Sequence, residues 1–169
     1  MSDRQSREWD LLAKQVAELA GVPAPTFGHW LTTGLIRPVR VWGQGRGRRY
    51  QFSLTNLVEA MVVAHLRKRG IAKDRLYRVV EELEKNRRLV EEEKGMLTLV
   101  TDGKRMVKIL VGEHDLADFI RRFEGGGLFA VPLDECRDRA LEWVERQRLA
   151  GQPPLFGLSG GDDSDVQGY

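Results

Sequence analysis

VAELAGVPAPTFGHWLTTGLIRP (residues 16–38) is the stretch on which the fold turns. Val16, Leu19 and Ala20 recur at i, i+3 and i+4, the spacing of a short amphipathic helix over residues 13–20. Gly21 stands where such a helix stops, and Val22 can plug the turn against a core. Pro23 and Pro25 fit only the cap or first turn of another helix. That helix, over residues 24–33, puts Phe27, Trp30 and Leu31 on one face and leaves His29, Thr32 and Thr33 elsewhere; Gly34 ends it. Two short helices joined by a tight glycine-containing turn make the helix-turn-helix pattern.

Residues 35–52 (LIRPVRVWGQGRGRRYQF) follow. Val39, Val41 and Trp42 favour extended chain, as do Tyr50 and Phe52. The glycine-rich centre joins the two arms, so the segment reads as a hairpin with WGQGRGRRY (42–50) at its tip. Alone, this tip reads two ways: a solvated basic linker, or a turn that sets backbone and guanidinium groups against an anion. Ser53 can cap a helix over 54–69 bearing Leu54, Leu57, Val58, Met61 and Val62. Its last turn, Arg67-Lys68-Arg69, either complements the helix dipole or meets phosphate. A fourth helix starts near Lys73, with Leu76, Val79, Val80 and Leu83 on one face; the mixed charges of residues 84–94 have a poor apolar period. Trp30, Leu35, Leu57 and Met61 are core candidates.

Charge is distributed unevenly. The 169 residues carry a net charge of only +2. Residues 1–70 hold eleven Lys/Arg against five Asp/Glu, and no acid lies between Glu18 and Glu59; the remainder holds sixteen bases against twenty acids. A one-sided basic field implies a polyanionic partner for the first half. An acidic membrane is disfavoured, because no hydrophobic stretch is long enough to span or anchor. A hydrophobic content of 41% permits a packed core. Cys136 is the lone cysteine, which fits a reducing compartment. The first ten residues lack the apolar stretch of a signal peptide, so a cytoplasmic location is expected.

After residue 95 the character changes. LTLVT (97–101) and RMVKILV (105–111) are rich in β-formers, and Asp102-Gly103 between them signals a hairpin. DLADFIRRF (115–123) reads as a helix with Leu116, Phe119, Ile120 and Phe123 on one face, and Asp115 and Asp118 as cap and first-turn charge. GGGLFAVPL returns to strand. Residues 134–149 read as a last helix, capped by Asp134, with Cys136, Ala140, Trp143 and Val144 on one side. The expected organisation is an N-terminal tail (1–10), a DNA-binding domain (11–86), a small α/β module for dimerisation or sensing (95–149) and a disordered acidic tail (150–169).

VAELAGV, PTFGHWLTTGLIRP, the Gly/Arg hairpin ending RRYQFS and LTNLVEAMVVAHLRKRGI, in this order, resemble the MerR family of winged helix-turn-helix transcription regulators. The resemblance spans Val16 to about Leu83. It implies a recognition helix in the major groove, a wing on the flanking backbone, and dimers on near-palindromic operators. It departs at Thr26-Phe27-Gly28-His29-Trp30, where Gly28 replaces an arginine that commonly reaches DNA in the family. Family members that sense metals use cysteines; one cysteine and three scattered histidines (29, 65, 114) give no ligand spacing. The TDGK hairpin and GGGLFAVPL resemble a C-terminal extension of some bacterial MerR-like regulators.

The expectation is therefore an α+β chain, mainly α, with an N-terminal winged helix-turn-helix domain and a small C-terminal α/β module. It would act as a non-enzymatic, dimeric regulator binding double-stranded DNA, nucleoid-associated and without cofactor, with RNA polymerase or another protein as a further partner. The alternative is an antitoxin-like interaction protein, or an architectural DNA-bending protein. The DNA-binding candidates are Thr26, His29, Arg37, Arg40, Gln44, Arg46, Arg48, Arg49 and Tyr50. Two of them stay open at this point: His29 reads equally as a surface histidine, and Gln44 as a turn residue.

Overall fold

A computed structural model describes residues 7–151. The elements run β1 (Glu8–Leu11), α1 (Ala13–Ala20), α2 (Ala24–Thr32), β2 (Arg40–Trp42), β3 (Arg49–Ser53), α3 (Leu54–Lys68), α4 (Lys73–Lys85), α5 (Arg87–Glu92), β4 (Leu97–Thr101), β5 (Val107–Val111), α6 (Gly112–Arg122), β6 (Phe129–Pro132) and α7 (Leu133–Gly151). The chain is α+β and mainly helical, with two three-stranded antiparallel sheets ordered β1-β3-β2 and β5-β4-β6.

The α1–α2 turn follows from its glycine. Gly21 takes φ 74°, and the amides of Gly21 and Val22 donate to the carbonyls of Glu18 and Ala17, closing α1 as a left-handed cap does. Pro23 then stands at the N-cap of α2, where a missing amide costs nothing. Phe27 meets Trp30 edge to face at 5.9 Å and Phe52 at 5.9 Å, which locks α2 onto β3.

α3 is the central helix: twelve of its fifteen residues are buried. An amphipathic surface helix would bury one stripe; this one is covered all round. Ser53 caps it reciprocally, its Oγ accepting from the Asn56 amide while Asn56 Oδ1 accepts from the Ser53 amide, both at 3.0 Å. α1, α4, α5 and α7 all pack on α3.

Several expectations need correction. Residues 8–10, assigned to a tail, belong to β1, which pairs Trp9 with Phe52 and Leu11 with Tyr50. Four residues are too few for alternation to show in the sequence. The strand expected from residue 105 starts at Val107, because the Asp102 carboxylate accepts the amides of Lys104, Arg105 and Met106 and curls the chain there. These hydrogen bonds, led by that of Lys104, hold Asp102 below the usual carboxylate range. The helix expected over 115–123 starts at Gly112, and residues 87–92, within the stretch of poor apolar period, form a separate short helix. Asp134 does not cap α7: its Oδ1 accepts the Leu97 amide at 3.1 Å, tying α7 to β4. Asp118 pairs with Arg121 and Arg122.

The C-terminal module is not an independent body. One buried cluster runs from Leu11 through α3 to Val131, Trp143 and Val144. Arg137 of α7 is buried and donates to the carbonyls of Val90 and Glu93. Arg75 of α4 donates to the Lys104 carbonyl in the β4–β5 turn. Of the expected acidic tail, residues 152–169 lie outside the described residues, as do residues 1–6 of the N-terminal tail.

Candidate nucleic-acid interface

The hairpin β2–β3 pairs Arg40 with Gln51, Val41 with Tyr50 and Trp42 with Arg49. Alternation along a strand then sorts its side chains. Val41, Tyr50 and Phe52 share the face toward α2, and Tyr50 stacks on Phe52 at 5.5 Å. Arg40, Trp42, Arg49 and Gln51 share the opposite face, with Asp10 of β1 beside Gln51. The arginines expected to act together are therefore divided.

Gly43 and Gly45 take φ 84° and 61°. A Cβ on Gly43 would also stand 3.0 Å from the Gly47 carbonyl oxygen, so glycine is required there twice over. Residues 45–47 form a single 3-10 turn that carries the chain into Arg48.

Arg48 is where the pieces meet. It lines a cleft of about 410 Å³ with Leu12, Ala13, Lys14, Ala24, Gly45 and Tyr50. It also lines a smaller one of about 130 Å³ with Leu31, Thr32, Pro38, Val41 and Tyr50. One residue thus borders the starts of both α1 and α2 and the last turn of α2. Lys14 joins it, and no acid lines either cleft.

The remaining candidates are spread out. Thr26 is half-buried on α2, and Gln44 is exposed at the tip. Arg37 is exposed, while its carbonyl accepts from Asn56 Nδ2 at 3.0 Å, which pins the chain leaving α2 to α3. The side chain of Arg46 lies outside the described residues. His29 is exposed on α2, with Lys73 Nζ 2.8 Å from its Nε2. The hydroxyls of Thr32 and Thr33 donate to the carbonyls of Gly28 and His29, both at 2.9 Å, and are occupied by the helix itself.

Sequence reasoning missed Lys14, Lys73 and Tyr77. The hydroxyl of Tyr77 donates to the Thr33 carbonyl at 3.2 Å, which sets α4 along the flank of α2. Forty-four residues separate Lys73 from His29, so no local spacing could reveal the pair. Lys14 was visible as a charge in the first turn of α1, but only the fold brings it to Arg48.

Among the described residues no helix is long and apolar enough to cross a membrane. No curated protein matches the chain. Residues 13–83, from the start of α1 into α4, match the family described as MerR HTH family regulatory protein. Over this segment the chain is similar to the helix-turn-helix of MerR-family regulatory proteins.

Proposed function

We propose that the protein is a cytoplasmic, nucleoid-associated transcription regulator that binds double-stranded DNA as a dimer. In this reading α2 enters the major groove and the β2–β3 hairpin is the wing, with Arg48 on the backbone beside it. The observation that carries it is the placement of Arg48 between α1, α2 and the hairpin tip, within a segment matching a DNA-binding family. Arg40 and Arg49, on the other face of the hairpin, add charge to the flank and meet backbone phosphate farther out.

Direct reading of bases from α2 is limited, since the exposed Thr32 and Thr33 give their hydroxyl protons to their own helix and Gly28 has no side chain. Much of the specificity then rests on half-site spacing and DNA deformability. Selection of bound genomic fragments followed by footprinting tests this. The expected result is a footprint with two half-sites; binding at random positions with no defined footprint would defeat it.

A second reading draws on α6. The helix is amphipathic, yet none of its residues is fully buried, and Ile120 is 51% exposed. That surface suits association with a protein, either a second copy or a different chain. Co-purification of a stoichiometric second polypeptide would favour the interaction reading over the regulator.

A further inference from the structure

We propose that the cleft between α1, α3 and α7 is a binding site for a tetrahedral oxyanion, a phosphate or sulfate group, held by Lys68, Arg139 and His65. The cleft, about 150 Å³, is lined by Leu19, Ala20, Met61, Ala64, His65, Lys68 and Arg139. It lies outside the α2–hairpin surface and shares no residue with it.

The arrangement follows from the helices. Met61, Ala64, His65 and Lys68 stand at i, i+3, i+4 and i+7, one stripe of α3. The stripe is apolar and buried at its lower end, and basic and exposed at its upper end. α1 closes one side with Leu19 and Ala20, both uncharged. α7 brings Arg139 across from the other side. The result is an apolar floor with cationic groups at the rim and no acid in the lining.

These cations are not held in close pairs. Among the described residues, neither Lys68 nor Arg139 makes an ion pair or a side-chain hydrogen bond to protein. Burial, and then Arg69, Lys68 and Arg139, push the His65 imidazole below its ordinary pKa. No carboxylate lines the cleft to offset them. The helix dipole accounts for basic residues in the last turn of α3. It does not account for Arg139, which lies well inside α7. A doubly charged oxyanion accounts for all three groups: it relieves the mutual repulsion and accepts charge-assisted hydrogen bonds from Lys68, Arg139 and protonated His65. Such a ligand would touch the helix-turn-helix through α1 and the C-terminal module through α7 at once.

The anion has two possible sources, a soluble oxyanion or a phosphate of the DNA backbone. Full-length protein would be titrated with sodium sulfate against sodium chloride at constant ionic strength, following the His65 ring resonances by NMR. Sulfate keeps its charge across the range where histidine titrates, about pH 5 to 8. A short random-sequence duplex is the second probe, at low salt. Lys68→Ala and Arg139→Ala are the variants; both positions are exposed, and unchanged thermal midpoints would show that the fold is kept.

For a soluble source we expect a saturable shift of His65 with sulfate and a rise in its pKa. Each variant should weaken that binding about tenfold, the loss of one charge-assisted hydrogen bond. For a DNA source we expect the duplex, not sulfate, to shift His65, and the salt slope to fall by about 0.9 for each cation removed. Either result supports the site. It is overturned if neither probe shifts His65 saturably, or if the shifts persist undiminished in both variants.

Discussion

The ammonium of Lys73, at the start of α4, lies 2.8 Å from Nε2 of His29 on the exposed side of α2. An ammonium can only donate, so with Lys73 charged the imidazole accepts through Nε2 and carries its proton on Nδ1. α2 therefore does not present its histidine alone; it presents a pair, one member of which is a cation from another helix. Lys73→Ala should weaken binding to specific and random duplex alike and flatten the log–log salt slope by about 0.9. His29→Ala should leave the slope unchanged. Salt titrations of both variants check this.

Arg48 and Arg49 are adjacent in sequence but differ in position. Arg48 borders α1 and α2, while Arg49 stands on the opposite face of the hairpin beside Trp42. Arg48→Ala should cost about 1–3 kcal/mol of specific binding. Arg49→Ala should reduce the salt slope with the ratio of specific to random affinity unchanged. A salt slope that Arg48→Ala leaves unchanged would remove Arg48 from its place on the backbone beside α2.

Gly28 sits inside α2 with nothing within 4 Å of where a Cβ would be. Its helical backbone is one that alanine adopts more readily, so Gly28→Ala should raise stability by about 1 kcal/mol. Gly28→Arg should raise affinity for many duplex sequences, because the added charge meets backbone first. Denaturant unfolding measures the first effect and a binding titration the second.

Glu59 is fully buried in α3, where Oε1 accepts from Asn56 Nδ2 at 3.1 Å and Oε2 has no hydrogen-bond partner among the described residues. Burial, reinforced by the neighbouring Glu84 carboxylate, raises its pKa well above the ordinary value of 4.5. The folded state thus keeps a proton that the unfolded chain releases. Stability from this group is complete below the unfolded pKa and is lost as pH rises toward and through the folded one. Glu59→Gln retains the amide-like shape without the charge. It should raise the thermal midpoint at neutral and alkaline pH, with little effect in acid. Thermal melts across pH test this.

A fragment of residues 1–90 should not fold like the parent. In the sequence alone residues 97–149 read as a small α/β module with apolar faces of its own. Removing α7 and β4–β6 would expose the side of α3 they cover and leave much of one continuous cluster unpaired. The expected outcome is loss of cooperative unfolding by circular dichroism. A sharp transition near that of the full chain would contradict it. Arg137→Ala is the milder version. It leaves the Val90 and Glu93 carbonyls without their donor and should cost about 1–3 kcal/mol.

What the sequence disclosed was local. The 3.6-residue period of Val16, Leu19 and Ala20, the glycines at 21 and 34, the Ser53 cap and the Asp102-Gly103 turn each act within a few residues, and each is where the chain put it. What escaped depended on distant partners. β1 exists because β3 offers it an edge, and Asp134 serves Leu97 rather than its own helix. The division of Arg48 from Arg49 needed the strand register. The union of Lys14 with Arg48, and of Lys73 with His29, needed the tertiary fold.

A regulator whose reading head and C-terminal part merely adjoin can be rebuilt by exchange, one part grafted onto another partner at a linker. α3 denies this chain that freedom. Its one flank supports α1, and α7 lies along it as well, so the helix is a party wall. A chimera cut after α4 would carry half a wall into a new building. Because both sides rest on one helix, a shift on either side moves the wall on which the other leans.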